Sequence, residues 1–218
     1  MTVPVVAALT AAGLVAVADW IAVARGDLGL ERLAKPAVMV CLVAAVVLAG
    51  PGSSMARWLL IVALAASLAG DVLLLPPGRF MGGLSAFLLA HLAYLAIFLL
   101  GEIQLVPLAA GVVAVLALLS TVGRTILTAA LGVGMGWPVS LYFVAICAMA
   151  VAATASASLP ATAGAWLFVA SDSILGWDRF AAAPAAGPGA AMACRLAVVV
   201  PYHAAQLLLT VALLGLSA

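Results

Sequence analysis

Charge is scarce in this chain: 8 lysines and arginines and 7 aspartates and glutamates stand among 218 residues, whereas roughly a quarter of a soluble domain is charged. That scarcity excludes an ordinary soluble domain. The net charge of +1 comes without a basic run or a basic patch laced with aromatics, which excludes a nucleic-acid surface. Cysteine is equally sparse. Cys41, Cys147 and Cys194 lie in or beside apolar segments with no C-x-x-C or other ligand spacing, so they read as small packing residues. The chain also lacks H-E-x-x-H, H-x-x-x-H and G-x-S-x-G, which leaves metalloprotease and serine-hydrolase chemistry without a motif. Gly132, Gly134 and Gly136 have no strand before them and no helix clearly after, so they carry no phosphate-loop signature.

What is abundant is hydrocarbon, since 68% of the residues are hydrophobic. A membrane span takes roughly 20 apolar residues. The apolar runs predict all-α architecture with about eight transmembrane helices, at 3–23, 36–50, 57–75, 81–100, 103–120, 138–158, 161–178 and 192–216, in one polytopic domain over 1–218. Breaker clusters separate them, among them Arg25 to Pro36, Gly50 to Arg57, Pro76 to Arg79, Gly101 to Gln104 and Asp178 to Gly189. The stretch 121–137 reads as a loop or a short re-entrant piece. Ala22-Val23-Ala24 superficially resembles a signal-peptidase site, but no basic region precedes it, and a retained first span is expected.

Basic residues favour the cytoplasmic side. Arg25, Arg32, Lys35, Arg79, Arg124, Arg179 and Arg195 follow odd-numbered spans, and only Arg57 follows an even one, which predicts extracytoplasmic termini. Compact connections suggest a bacterial inner membrane. Ala69-Gly70-Asp71 and Ala170-Ser171-Asp172 echo one another, and each is followed by an Arg-Phe pair, Arg79-Phe80 and Arg179-Phe180; this is the pattern of two four-helix parallel repeats.

An ionisable group inside lipid costs several kcal/mol and needs a partner, a wet cavity or a function. Asp19, Asp71, His91 with Tyr94, Tyr142, Asp172, and Tyr202 with His203 and Gln206 all fall within spans. At 1.5 Å per residue, Asp71, Asp172, Tyr202 and Gln206 lie roughly 5 to 17 Å in from the basic ends, with His91 near the bilayer middle. Phe80, Gly83, Phe87, His91 and Tyr94 step by three or four and share one helical face, as do Gly164, Phe168, Asp172 and Leu175. Gly70 and Ser171 permit close helix approach beside the acids.

The plain alternative is a set of packing seams with polar residues as hydrogen-bonding glue. Two mid-span aspartates in a nearly acid-free core argue instead for chemistry, because two carboxyl groups in a dry pocket resist joint ionisation and can serve as acid and base. A metal site from His91, His203, Asp71 and Asp172 is a second possibility, and a triad using Ser85, Ser171 or Ser173 a third. A carrier that passes protons through the acids is the rival class.

The segments Gly70-Asp71-x-x-Leu74, Phe80-x-x-Gly83-Leu84-x-x-Phe87-x-x-x-His91-x-x-Tyr94, Gly164-Ala165-x-x-Phe168-x-x-Ser171-Asp172 and Tyr202-x-x-x-Gln206 resemble the YhhN/TMEM86 family of lysoplasmalogenases. Lys35-Pro36, Tyr142 and Met149 also resemble it, while His203 stands where the family pattern has an aromatic. The resemblance implies an eight-helix membrane hydrolase that cleaves the vinyl ether of a lysophospholipid to a fatty aldehyde, and no cofactor or metal is expected. The chemistry needs an acid beside a base, and Asp71 and Asp172 are assigned those two catalytic roles in either order, with His91, Tyr94, Tyr142, Ser171, Tyr202, Gln206 and Asp19 as binding or supporting residues. Arg79, Arg179 and Arg195 are candidate phosphate contacts, the plain alternative being cytoplasmic anchors at the ends of their spans.

Overall fold

Long runs of Ala, Leu and Val satisfy their backbone polar groups inside lipid by forming helices, the structure open to a single apolar segment. A computed structural model describes residues 1–50, 54–183 and 187–216. The connections at 51–53 and 184–186, expected as breaks, lie outside the described residues. Among those described, eight helices account for nearly all the structure, and no strand occurs. They are α1 (Val3–Arg25), α2 (Leu28–Leu48), α3 (Met55–Leu74), α4 (Phe80–Leu99), α5 (Leu105–Gly132), α6 (Gly136–Ala155), α7 (Leu159–Phe180) and α8 (Pro188–Leu216). Six of them, all but α2 and α7, are long and apolar enough to cross a membrane. The chain is an integral membrane protein.

Three expectations are corrected. The cluster from Arg25 to Pro36 is not a loop: Gly26, at φ 67°, ends α1 and the Asp27 side chain accepts from the Leu30 amide to start α2 at once. Glu31, Arg32 and Lys35 therefore sit on a helix, and Pro36 lies inside it. The stretch 121–137 is likewise mostly helical. α5 continues through a π-helical turn at Leu119–Gly123, and Thr121, Thr125 and Thr128 donate their hydroxyls to carbonyls one turn back, which satisfies them without leaving the helix. α8 also begins earlier than 192, at Pro188.

α3 packs along α4, α7 along α8 and α1 along α2, and α1 and α8 meet to bring the first and last helices together. Small residues set the spacing. A Cβ on Gly164 would fall 3.1 Å from the Ala205 carbonyl and 3.0 Å from Leu209, so only glycine lets α7 lie this close to α8. A Cβ on Gly70 would sit 2.6 Å from the Phe87 ring, so α3 and α4 close around that aromatic. The main core runs through Met39, Leu42, Leu64, Tyr94, Phe168 and Leu209, all fully buried. A second, small cluster of Ile126, Ala130 and Val139 lies under the end of α5.

Candidate active site

Alternation of eight helices collects at one end the C-terminal turns of α3 and α7 and the N-terminal turns of α2, α4 and α8. These are the turns that carry most of the basic residues. A cavity of about 610 Å³ opens there, lined by residues of all five helices, among them Lys35, Asp71, Phe87, Asp172, Arg195 and Tyr202. Its volume lies within the usual range of small-molecule sites.

Asp71, on α3, is fully buried. Tyr202 donates its hydroxyl to Asp71 Oδ2 at 2.7 Å, and Lys35 Nζ lies 3.6 Å from Oδ1. Lys35 also sits 5.9 Å above the Tyr202 ring, so the cation, carboxylate and phenol form one unit. Asp172, on α7, faces the cavity with its side chain 14% exposed. Tyr142 donates to Asp172 Oδ2, and His91 Nε2 approaches the same oxygen at 3.4 Å and the Tyr142 hydroxyl at 2.8 Å. With the Tyr142 proton committed to Asp172, its oxygen is left to accept from His91, which places the imidazole proton on Nε2. Oδ2 takes both contacts, leaving Oδ1 for the cavity.

An aromatic cluster of core residues packs against these groups. Phe87, Phe168 and Tyr202 meet edge to face with centroids 5.4 to 6.2 Å apart, and His91 packs edge-on to Phe168 at 4.6 Å. Rings at such distances favour this crossed arrangement. Beneath the cluster, Tyr94 donates to Gln206 Oε1 at 2.6 Å, and the Gln206 amide donates to Ser67 at 2.9 Å. These bonds tie α4, α8 and α3 to one another.

The predicted residues thus divide. Asp71, Asp172, Ser171 and Tyr202 line the cavity, and His91 and Tyr142 reach it through Asp172. The Ser171 hydroxyl is engaged with the Val198 carbonyl at 2.9 Å, tying α7 to α8, and Ser85 is exposed. Asp19 lies off the cavity lining. It is fully buried, 4.0 Å from His203 Nδ1, which itself accepts the Trp20 indole proton at 3.1 Å. The two histidines therefore serve different acids, and among the described residues no three His, Cys, Asp or Glu side chains gather as a metal site would require.

Of the arginines, Arg179 and Arg195 line the cavity and Arg79 does not. Arg195 pairs with Glu31, and Arg179 lies over the Phe80 ring at 5.1 Å. Sequence reasoning missed Arg32 and the pairing of Lys35 because it placed both in a loop. The signal was the spacing of Leu28, Glu31, Arg32 and Lys35, which is one helical stripe.

Comparison with known proteins gives a consistent result. A family model described as the YhhN family matches residues 30–213. Lysoplasmalogenase TMEM86B of Mus musculus is 35% identical over 181 residues, 83% of this chain and 74% of the relative. The protein of the same name from Rattus norvegicus is 35% identical over 186 residues, 85% and 73% of the two chains. A lysoplasmalogenase of Mycobacterium bovis is 37% identical over 153 residues, 66% of this chain and 58% of that protein. No solved structure matches.

Proposed function

The chain belongs to the YhhN family, and from that premise we propose that it is a lysoplasmalogenase-like membrane hydrolase, cleaving the vinyl ether of a lysophospholipid to a fatty aldehyde and a glycerophospho-ethanolamine or glycerophosphocholine. The observation that carries this reading is the pair of carboxyl groups on one cavity, Asp71 and Asp172, each held by a tyrosine hydroxyl. Vinyl-ether hydrolysis needs a proton delivered to the alkene carbon, water added to the resulting oxocarbenium carbon, and collapse of the hemiacetal. One acid and one base, both fixed and both beside the bond, meet those needs. The mouth carries Arg32 and Arg179, together with Arg195 and its partner Glu31, and its guanidinium groups suit a phosphate-bearing head group.

The reading extends to place. A single-chain lipid reaches the site from the leaflet facing the basic end, which is cytoplasmic by the distribution of arginines. Both termini then lie outside, and the membrane is a bacterial inner membrane. The test is fatty-aldehyde release from a lysoplasmalogen by the detergent-purified protein. Release with and without a chelator, in the absence of any gradient, is the expected result. An intact lipid after incubation removes the hydrolase and favours a carrier.

Tyr142 offers a finer check. Tyr142→Phe removes the donor to Asp172 and the acceptor of His91 while keeping the ring. A hydrogen bond to a charged group is worth about 1.5–3 kcal/mol, so kcat is expected to fall by about 10- to 100-fold with KM little changed. An unaltered kcat would show that the hydroxyl only packs.

A further inference from the structure

A second, smaller void lies behind Asp172. It measures about 70 Å³ and is bounded by apolar side chains, among them Leu84 of α4, Leu118 and Ile126 of α5, Phe143 of α6 and Phe180 of α7. Leu74, Phe80, Phe87, Asp172 and Leu175 line both this chamber and the larger cavity. Of the two carboxylates, only Asp172 faces both spaces; Asp71 faces the larger one alone. Phe80 stands between the two, edge-on to Phe180 at 5.8 Å with Arg179 against its ring. The outer wall is α5, whose Leu116 and Leu119 are 58% and 38% exposed and so meet lipid directly.

We infer that this chamber takes the start of the hydrocarbon chain of a single-chain ether lipid. The rest of the chain runs out between α4 and α5 into the bilayer, the polar head occupies the larger cavity, and the bond to be broken lies against Asp172. The volume supports this division. At roughly 30 Å³ for a water-sized group, the chamber encloses the first two or three methylenes, and an eighteen-carbon tail has to continue into lipid.

The orientation assigns the two acids, and this step rests on the lysoplasmalogenase-like reading. The alkene carbon that must be protonated is the one on the tail side, and Asp172 borders the tail chamber. Asp172 therefore gives up its proton as the new C–H bond forms and the alkene electron pair is drawn out. Water bonds to the oxocarbenium carbon on the head side, and its proton passes to Asp71. As the hemiacetal C–O bond breaks, the glycerol oxygen takes that proton back, and the hemiacetal hydroxyl proton returns to Asp172, leaving aldehyde, alcohol and the enzyme in its starting state.

The test uses the full detergent-purified chain and a non-cleavable 1-O-alkyl lysophospholipid carrying a diazirine a few carbons from the ether oxygen. Irradiation is expected to label the residues around Leu84, Ile126, Phe143 and Phe180. Labelling at Leu28, Arg32 or Cys194, on the larger cavity, overturns the inference. In parallel, Leu84→Trp is expected to lower the ratio of kcat/KM for a hexadecenyl lysoplasmalogen over a propenyl analogue by tenfold or more; an unchanged ratio also overturns it. If wild-type protein releases no aldehyde yet labels in the chamber, the tail site stands and the lysoplasmalogenase-like reading falls, so the two failures are distinguishable.

Discussion

Asp172→Asn protein is expected to release aldehyde from a lysoplasmalogen at least about 10³-fold more slowly than wild type, within the range that a positioned general acid supplies. The amide has nearly the same shape and its oxygen still accepts from Tyr142, so the site survives. On the proposed mechanism, what is lost is the acidic carboxyl proton, which an amide cannot deliver to carbon. Because Asp172 lies on the cavity wall and its contacts are to Tyr142 and His91 rather than to a cation, thermal unfolding in detergent should shift by no more than a few degrees. Retention of a tenth or more of wild-type activity would sink the catalytic assignment, whatever the melting curve shows.

Asp71→Asn is expected to damage both activity and stability, because Asp71 does two things at once. It is bonded by Tyr202 and pairs with Lys35, whose side chain is only 14% exposed. Removing one partner of a buried ion pair strands the other, at a cost of about 3–5 kcal/mol; the Lys35 ammonium reaches cavity water, which places the loss at the lower end. A structural defect and a catalytic one would look alike in this variant alone. Adding Lys35→Met separates them. The double variant Lys35→Met/Asp71→Asn should recover most of the thermal stability, since neither charge is left alone, and should stay at least about 10²-fold below wild type in kcat. If activity returns with stability, Asp71 is a counter-ion to Lys35 and nothing more.

The parts of the site that stood out in the sequence were those whose chemistry clashes with their surroundings. Asp71, Asp172, His91 and Tyr202 each interrupt an apolar run, and lipid gives such residues no neutral explanation. Helical spacing went further, since the stripe Phe80, Gly83, Phe87, His91 and Tyr94 foretold which face of α4 turns inward. What could not be read was partnership. Tyr142 bonds Asp172 across 30 residues, Tyr202 bonds Asp71 across 131, and Trp20 bonds His203 across 183. Such contacts depend on which helices are neighbours and on how each is rotated, and an apolar pattern that is hydrophobic on nearly every face leaves rotation underdetermined. Charge misled in the opposite direction at α2. Glu31, Arg32 and Lys35 looked like a connection because no lone helix in lipid would carry them, yet they line a cavity where water can reach them.

The two helices that are long enough but not apolar enough to cross a membrane by composition, α2 and α7, are those that carry Lys35 and Asp172. Biogenesis inherits this conflict. A charged side chain near the centre of a nascent segment costs about 2.5–3.5 kcal/mol at the translocon, so each of these helices leaves the translocon poorly on its own and depends on neighbours already in place. For α2 that neighbour is α1, synthesised just before it. For α7 the tightest partner is α8, which emerges from the ribosome afterwards, so α7 must wait at the translocon until its hairpin is complete. Charge carried inside α2 and α7 thus ties the insertion of each to the helix it packs against.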